Sequence, residues 1–179
     1  MKRTSPAARI TVGAMSAAIG VLFMFAASAV PAGKLALLFL ASLVIWIPLN
    51  SEKGLLHAFL VYIATGAITF LIVPDKKFFI IYALFFGIFG MGKYIIEKFI
   101  KDKFLVFFVK LIVCNVFAGA YILLTAKLFE IDIITLLPAL PLYVLIPLME
   151  IAFVAYDLVY TMCAKFFDDK LRKYITPPR

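Results

Sequence analysis

Long uninterrupted apolar runs constrain the fold of this chain more than any other feature. The first run, "ITVGAMSAAIGVLFMFAASAV" at residues 10–30, carries no charged side chain. About 20 consecutive apolar residues form a helix that matches the hydrocarbon thickness of a bilayer. Across the chain 65% of residues are hydrophobic and only 16% are charged, whereas soluble domains have about a quarter charged residues. The sequence therefore predicts an integral membrane protein.

Polar segments divide the apolar sequence into six candidate transmembrane helices. These segments are "PAGK" at 31–34, "NSEKG" at 50–54, "PDKK" at 74–77, "EKFIKDK" at 97–103 and "KLFEID" at 127–132. The predicted spans cover residues 10–30, 35–50, 54–73, 78–95, 104–128 and 137–164. We therefore expect one all-α membrane domain over residues 1–179, folded as a six-helix bundle.

The distribution of basic residues predicts the orientation of this bundle. If the N-terminus is cytoplasmic, thirteen lysines and arginines, Lys93 among them, lie on the cytoplasmic side, and only Lys34, Lys76, Lys77 and Lys127 lie outside. Such a bias is typical of cytoplasmic loops. Both termini are then cytoplasmic, which requires an even number of spans. The alternative is a cleaved secretory signal ending near "ASA" at 27–29, which leaves five spans, but the first run is longer than a usual signal core.

Small residues are concentrated in the first predicted helix, in "GAMSAAIG" at 13–20. Gly13 and Ala17 are four residues apart, as are Ala14 and Ala18, so each pair stacks on one helical face. Small residues at this spacing let another helix backbone approach closely in a membrane. Two interpretations stay open: packing within the bundle, and docking of a separate membrane subunit.

The layout, together with "AMSAA" at 14–18, resembles the substrate-binding S components of the energy-coupling factor (ECF) transporters. The resemblance implies a bacterial cytoplasmic-membrane protein that binds a vitamin or related micronutrient from outside. It also implies docking of the alanine face on an energising transmembrane subunit, which is driven by two ATPase subunits. In that family the first loop caps the site and the last three helices build it. No vitamin-specific motif is present, so the resemblance assigns no substrate.

Five residues are candidates for substrate binding. Glu150 lies deep in the last span, and the helical rise places Asn115 of the preceding span at a similar height. Tyr121 and Tyr143 lie in the outer halves of the same two helices and are candidates for the wall of a pocket. By the resemblance, "PAGK" would be a lid that offers Lys34 to an anionic group. The alternatives are a protonated structural acid for Glu150 and a solvated loop position for Lys34.

Lys110 and Asp157 are ionisable residues at matching depth in the last two spans. Lys110 lies about 10 Å above Lys103 and Asp157 about 12 Å above Lys165 along their helices. Charges at this depth usually pair with one another. We predict a structural ion pair between them, with snorkelling of Lys110 towards the inner surface as the alternative.

Motifs for catalysis or cofactor binding are not recognisable in the sequence. His57 is a lone histidine without a cluster at metal-ligand spacing, and "GIFGMG" at 87–92 lacks the strand and Lys-Ser/Thr of a phosphate loop. The basic residues lie at helix ends, a pattern of membrane topology and not of nucleic-acid binding. We therefore expect no enzyme, no metal and no cofactor. The alternatives to an importer subunit are a ligand-free scaffold, as in cell-wall elongation machinery, and a solitary small-solute carrier or accessory protein.

Overall fold

A computed structural model describes residues 6–49, 54–130 and 141–171. Every regular element within these ranges is a helix, so the all-helical prediction is confirmed there. In the described part of the chain, five helical segments are long and apolar enough to cross a membrane: Arg9–Ala29, Gly54–Ile72, Lys76–Phe99, Lys103–Phe129 and Tyr143–Asp169. The segment Lys34–Leu49, predicted as a second span, is a shorter apolar helix. A sixth crossing therefore stays a prediction.

The elements follow the predicted spans with shifted ends. In chain order they are α1 (Pro6–Ala29), α2 (Lys34–Val44), α3 (Trp46–Leu49), α4 (Gly54–Ile72), α5 (Lys76–Ile81), a π-helical turn (Tyr82–Phe86), α6 (Gly87–Phe99), α7 (Lys103–Phe129), α8 (Leu142–Phe166) and a second π-helical turn (Phe167–Leu171). The fourth predicted span, 78–95, corresponds to a longer segment, Lys76–Phe99, which consists of α5, the first π-helical turn and α6. The predicted start of the last span, at 137–140, lies outside the described residues.

A proline explains why the second apolar segment is broken into α2 and α3. Pro48 has no N–H, and its ring clashes with the carbonyl of the residue four positions earlier, which is Val44. The regular helix α2 ends at that residue. At its other end α2 follows Gly33, whose φ of 79° lies in the left-handed region that favours glycine.

Aspartate side chains cap two of the helices. The carboxylate of Asp75 accepts a hydrogen bond from the backbone N–H of Lys77 at 3.0 Å, where α5 begins. The carboxylate of Asp102 likewise accepts from the N–H of Phe104 at 2.9 Å, where α7 begins. These bonds satisfy N–H groups that have no partner inside the helix, which is why the helices begin at these positions.

Glycines in "GIFGMG" permit close contacts of α6. A Cβ on Gly90 would lie 2.3 Å from the hydroxyl oxygen of Tyr160 on α8. A Cβ on Gly87 would lie 2.6 Å from the ring of Tyr62 on α4. Any larger side chain at these two positions would clash, so they set how closely the three helices approach.

The core lies mainly between α1, α2, α4 and the α5–α6 segment. Its fully buried members include Met24, Leu38 and Tyr82. On α8, Tyr156 donates to or accepts from the hydroxyl of Ser42 on α2 at 2.9 Å. Large apolar side chains cover the outside of the bundle, as expected for surfaces that face lipid.

Candidate functional site

A network of charged side chains joins α6, α7 and α8, towards the end at which α4 and α7 begin. Its members Lys93, Lys110 and Asp157 are largely buried, and its fourth member, Glu97, is 43% exposed. Lys93 on α6 is only 4% exposed. Its Nζ lies 2.5 Å from Asp157 Oδ1, 2.8 Å from Thr161 Oγ1 and 3.0 Å from Glu97 Oε1. A lysine ammonium has three N–H donors, so these three oxygens use all of them.

The second lysine of the network is Lys110 on α7. Its Nζ lies 2.7 Å from Glu97 Oε1, and 3.0 and 3.2 Å from the two carboxylate oxygens of Asp157. The structure thus places Lys110 and Asp157 in contact and adds Lys93 and Glu97 to them. Two ammonium groups face two carboxylates, so the network is electrically neutral.

Three helices supply the network. Lys93 and Glu97 lie one turn apart on α6, Lys110 belongs to α7, and Asp157 belongs to α8. The distribution of basic residues along the sequence predicted that Lys93 lies on the cytoplasmic side, but its side chain is buried inside the bundle. The signal that was missed is its spacing of four residues from Glu97 in "KYIIE", which puts both side chains on one helical face.

A cavity of about 550 Å³ lies beside the network, between α4, α6, α7 and α8. Phenylalanines dominate its wall: Phe59, Phe85, Phe89, Phe117 and Phe153. Phe85 belongs to the π-helical turn, a distortion that is often found at functional sites. The volume lies within the range of small-molecule sites, which are mostly apolar.

One side of the cavity reaches the outer surface of the bundle. Leu56 is 57% exposed and Phe59 is 48% exposed, and both line the cavity. This helix is long and apolar enough to cross a membrane, so the cavity opens on the apolar outer surface of a candidate transmembrane helix.

Gly92 and Cys114 both line the cavity. A Cβ on Gly92 would have no neighbour within 4 Å, so the absence of a side chain there leaves open space. Cys114 lines the opposite wall on α7 and is 5% exposed.

The five predicted substrate-binding residues lie elsewhere. Asn115 Nδ2 donates to Glu150 Oε1 at 3.3 Å and to the carbonyl of Leu111 at 3.0 Å. Tyr121 is half-buried, and Tyr143 is 78% exposed. Lys34 Nζ lies 5.3 Å from the ring centroid of Phe78, in a cation–π contact. Within the described part of the chain, the side chains that line the cavity do not include any of these five.

The small-residue face of α1 is divided between two environments. Ala17 is buried, and a Cβ on Gly13 would contact Val61 of α4 at 3.5 Å. Ala14 and Ala18 are exposed on the surface of the bundle. Gly13 and Ala17 therefore serve packing within the bundle, while Ala14 and Ala18 stay accessible to another molecule.

Buried hydroxyl groups occupy the opposite half of the bundle. Thr65, Thr69, Tyr82 and Thr125 are fully buried, and their hydroxyls make no hydrogen bond of normal geometry with the residues that the structure describes. Buried hydroxyls usually have a partner. Sequence reasoning did not single out these residues, because isolated threonines are common in membrane helices.

Metal-binding clusters of three or more His, Cys, Asp or Glu side chains do not occur within residues 6–49, 54–130 and 141–171. Comparison with protein-family models, with curated proteins and with solved structures gave no match to this chain.

Proposed function

We propose that this chain is the substrate-binding membrane subunit of an ECF-type importer. The observation that carries the proposal is the apolar cavity of about 550 Å³ beside the charged network. The predicted orientation places this cavity in the cytoplasmic half of the bundle, so it would hold the substrate on the inward side, after entry from outside. The volume and the apolar wall of this cavity match those of small-molecule sites. An open cavity of this size therefore favours a bound small molecule.

The exposed alanines of α1 support a partner in the membrane. Ala14 and Ala18 lie four residues apart on a surface that the rest of the bundle leaves uncovered. Close helix packing on such a surface is the expected mode of docking for an energising transmembrane subunit. Two ATPase subunits would supply the energy, as the sequence resemblance implies.

The proposal includes six crossings and two cytoplasmic termini in a bacterial cell membrane. The segment Lys34–Leu49 would be the sixth crossing, shorter than the others. A short apolar helix can span by local thinning of the bilayer. The excess of basic residues on one side supports this orientation.

A second candidate function is a ligand-free scaffold. The charged network favours it, because Lys93, Lys110, Glu97 and Asp157 satisfy one another without a ligand. In that case the exposed alanines would bind a structural partner, and the cavity would hold only lipid chains.

Native mass spectrometry of the purified protein, followed by organic extraction, tests the proposal. We expect a stoichiometric small molecule that is lost when Gly92→Leu fills the cavity. Gly119→Leu is the matched control, since a side chain at Gly119 also meets no neighbour within 4 Å but lies outside the cavity wall. If a vitamin panel and hydrophobic compounds neither co-purify nor raise the unfolding temperature, the scaffold is favoured instead.

A further inference from the structure

The charged network leaves no hydrogen-bond donor for a ligand in the cavity. Lys93 and Lys110 are the charged residues of the cavity wall among those described. The three donors of Lys93 meet three oxygens, and the three donors of Lys110 meet Glu97 and both oxygens of Asp157. The lysines therefore line the cavity with their methylene stems, and its wall is almost entirely apolar.

A charged ligand of either sign would be poorly held in this cavity. An anion would have to displace a carboxylate from a lysine. Displacing Asp157, which is 21% exposed, leaves a charge unpaired inside the bundle, and displacing Glu97, which is 43% exposed, gives up its contacts with both lysines. A cation would find no carboxylate in the wall, because Glu97 and Asp157 do not line it. Because the charged groups of the network pair with one another, the cavity disfavours ligands that carry a charge.

The shape of the cavity favours a compact molecule with a ring. Phe89 and Phe153 lie edge to face with a centroid separation of 5.8 Å, and Phe85 and Phe89 lie 5.8 Å apart. Aromatic side chains arranged in this way present both faces and edges to a flat ring. The open side at Leu56 and Phe59 gives access from the bilayer, in which an apolar molecule is already concentrated.

We infer that the cavity takes an uncharged, ring-containing apolar small molecule, which reaches it laterally from the hydrocarbon region of the bilayer. This inference rests on the proposed function and names its substrate class. It differs from the sequence-based expectation of an anionic group held by Lys34, because the cavity lies apart from Lys34 and offers no free cation.

A pair of photoreactive probes tests the inference. 3-Phenyl-3-(trifluoromethyl)diazirine is uncharged, and its 4-carboxylate carries one negative charge on the same ring. Each is irradiated with the full chain in nanodiscs at pH 8, at equal mole fraction in the bilayer. Labelling is mapped by mass spectrometry at Cys114, in the cavity wall, and at Ile112, which is 62% exposed on the lipid-facing surface of the same helix.

The uncharged probe should label Cys114 and its neighbour Phe117 at least as strongly as Ile112. The carboxylate should label Cys114 about a hundredfold less than the uncharged probe does, because burying an unpaired charge in the membrane is costly. The ratio of Cys114 to Ile112 labelling should fall as well, because a charge beside Ile112 can move towards the headgroups, whereas the cavity offers it no free donor. Gly92→Leu should abolish labelling of Cys114 by the uncharged probe without changing labelling of Ile112. Gly119→Leu should change neither.

The other outcomes separate this inference from the proposed function. Equal or preferred labelling of Cys114 by the carboxylate overturns the uncharged class but leaves a ligand-binding cavity. Labelling confined to Ile112 with both probes overturns the cavity site, and with it both proposals. Extraction of a stoichiometric phospholipid from the purified protein, lost on Gly92→Leu, assigns the cavity to a lipid chain and overturns the inference.

Discussion

Lys110 Nζ lies 3.0 Å from Asp157 Oδ2, and this contact joins α7 to α8 within segments that are long and apolar enough to cross a membrane. Glu97 and Lys93 extend the contact to α6. Lys93, Lys110 and Asp157 are largely buried, whereas Glu97 is 43% exposed, so the first three depend most on their partners. Removing one member should therefore affect the fold more than removing a charge at the surface.

Asp157→Asn should lower the free energy of unfolding by about 3 kcal/mol, because it leaves two lysines with a single carboxylate. Thermal unfolding in detergent measures the change. Asp102→Asn is the control, since Asn caps a helix as well as Asp and should change stability by less than about 0.5 kcal/mol. Equal effects of the two substitutions would contradict a stabilising network.

Gly90→Ala should destabilise the protein by about 1–3 kcal/mol, because the new methyl group would clash with the buried hydroxyl of Tyr160. Gly92→Ala, two residues along the same helix, meets open space and should be neutral or stabilising by up to about 1 kcal/mol, since alanine favours the helix. Chemical unfolding of both variants gives the comparison. If Gly92→Ala were destabilised as well, the clash with Tyr160 would not explain the lower stability of Gly90→Ala.

Ala17→Phe and Ala18→Phe should have different effects on stability and on assembly. Ala17 is buried, so a phenyl ring there overpacks the bundle and should lower the unfolding temperature. Ala18 is exposed, so Ala18→Phe should leave stability unchanged. Under the importer proposal, the same Ala18→Phe variant should lose co-purification with a co-expressed energising transmembrane subunit. A stable Ala18→Phe variant that still assembles would refute docking on this face.

Tyr156→Phe should cost about 1 kcal/mol of stability, because it removes the 2.9 Å hydrogen bond to Ser42 that ties α8 to α2. Tyr143→Phe removes the same hydroxyl from a side chain that is 78% exposed and should have no effect on stability. Thermal unfolding of both variants measures the two changes in stability. If Tyr143→Phe lowered stability as much as Tyr156→Phe, the hydrogen bond between Tyr156 and Ser42 would not be the cause of the loss.

Glu150→Gln should change stability by less than about 0.5 kcal/mol, because the amide oxygen still accepts the 3.3 Å hydrogen bond from Asn115. If Glu150 contacts a substrate, as the sequence predicts, the same variant should lose bound ligand in native mass spectrometry while remaining folded. A large loss of stability would instead make Glu150 a structural acid.

The contacts of Lys93 show where sequence reasoning reached its limit. Its position near the end of a predicted span indicated a cytoplasmic charge, and the depth of Lys110 and Asp157 indicated a pair. The sequence contains the four-residue spacing of Lys93 and Glu97, but it does not contain the rotation of α6 about its axis. That rotation turns both side chains towards α7 and α8.

The sequence by itself determined that the chain is helical and apolar enough for a membrane, and roughly where each helix begins and ends. Apolar length, Pro48, Gly33 and the caps Asp75 and Asp102 act through local geometry, which is independent of the rest of the fold. Only the tertiary structure decided which small residues of α1 are buried, which carboxylates the lysines meet, and where the cavity lies. These depend on how helices rotate and shift against one another, and packing of all side chains together sets that arrangement.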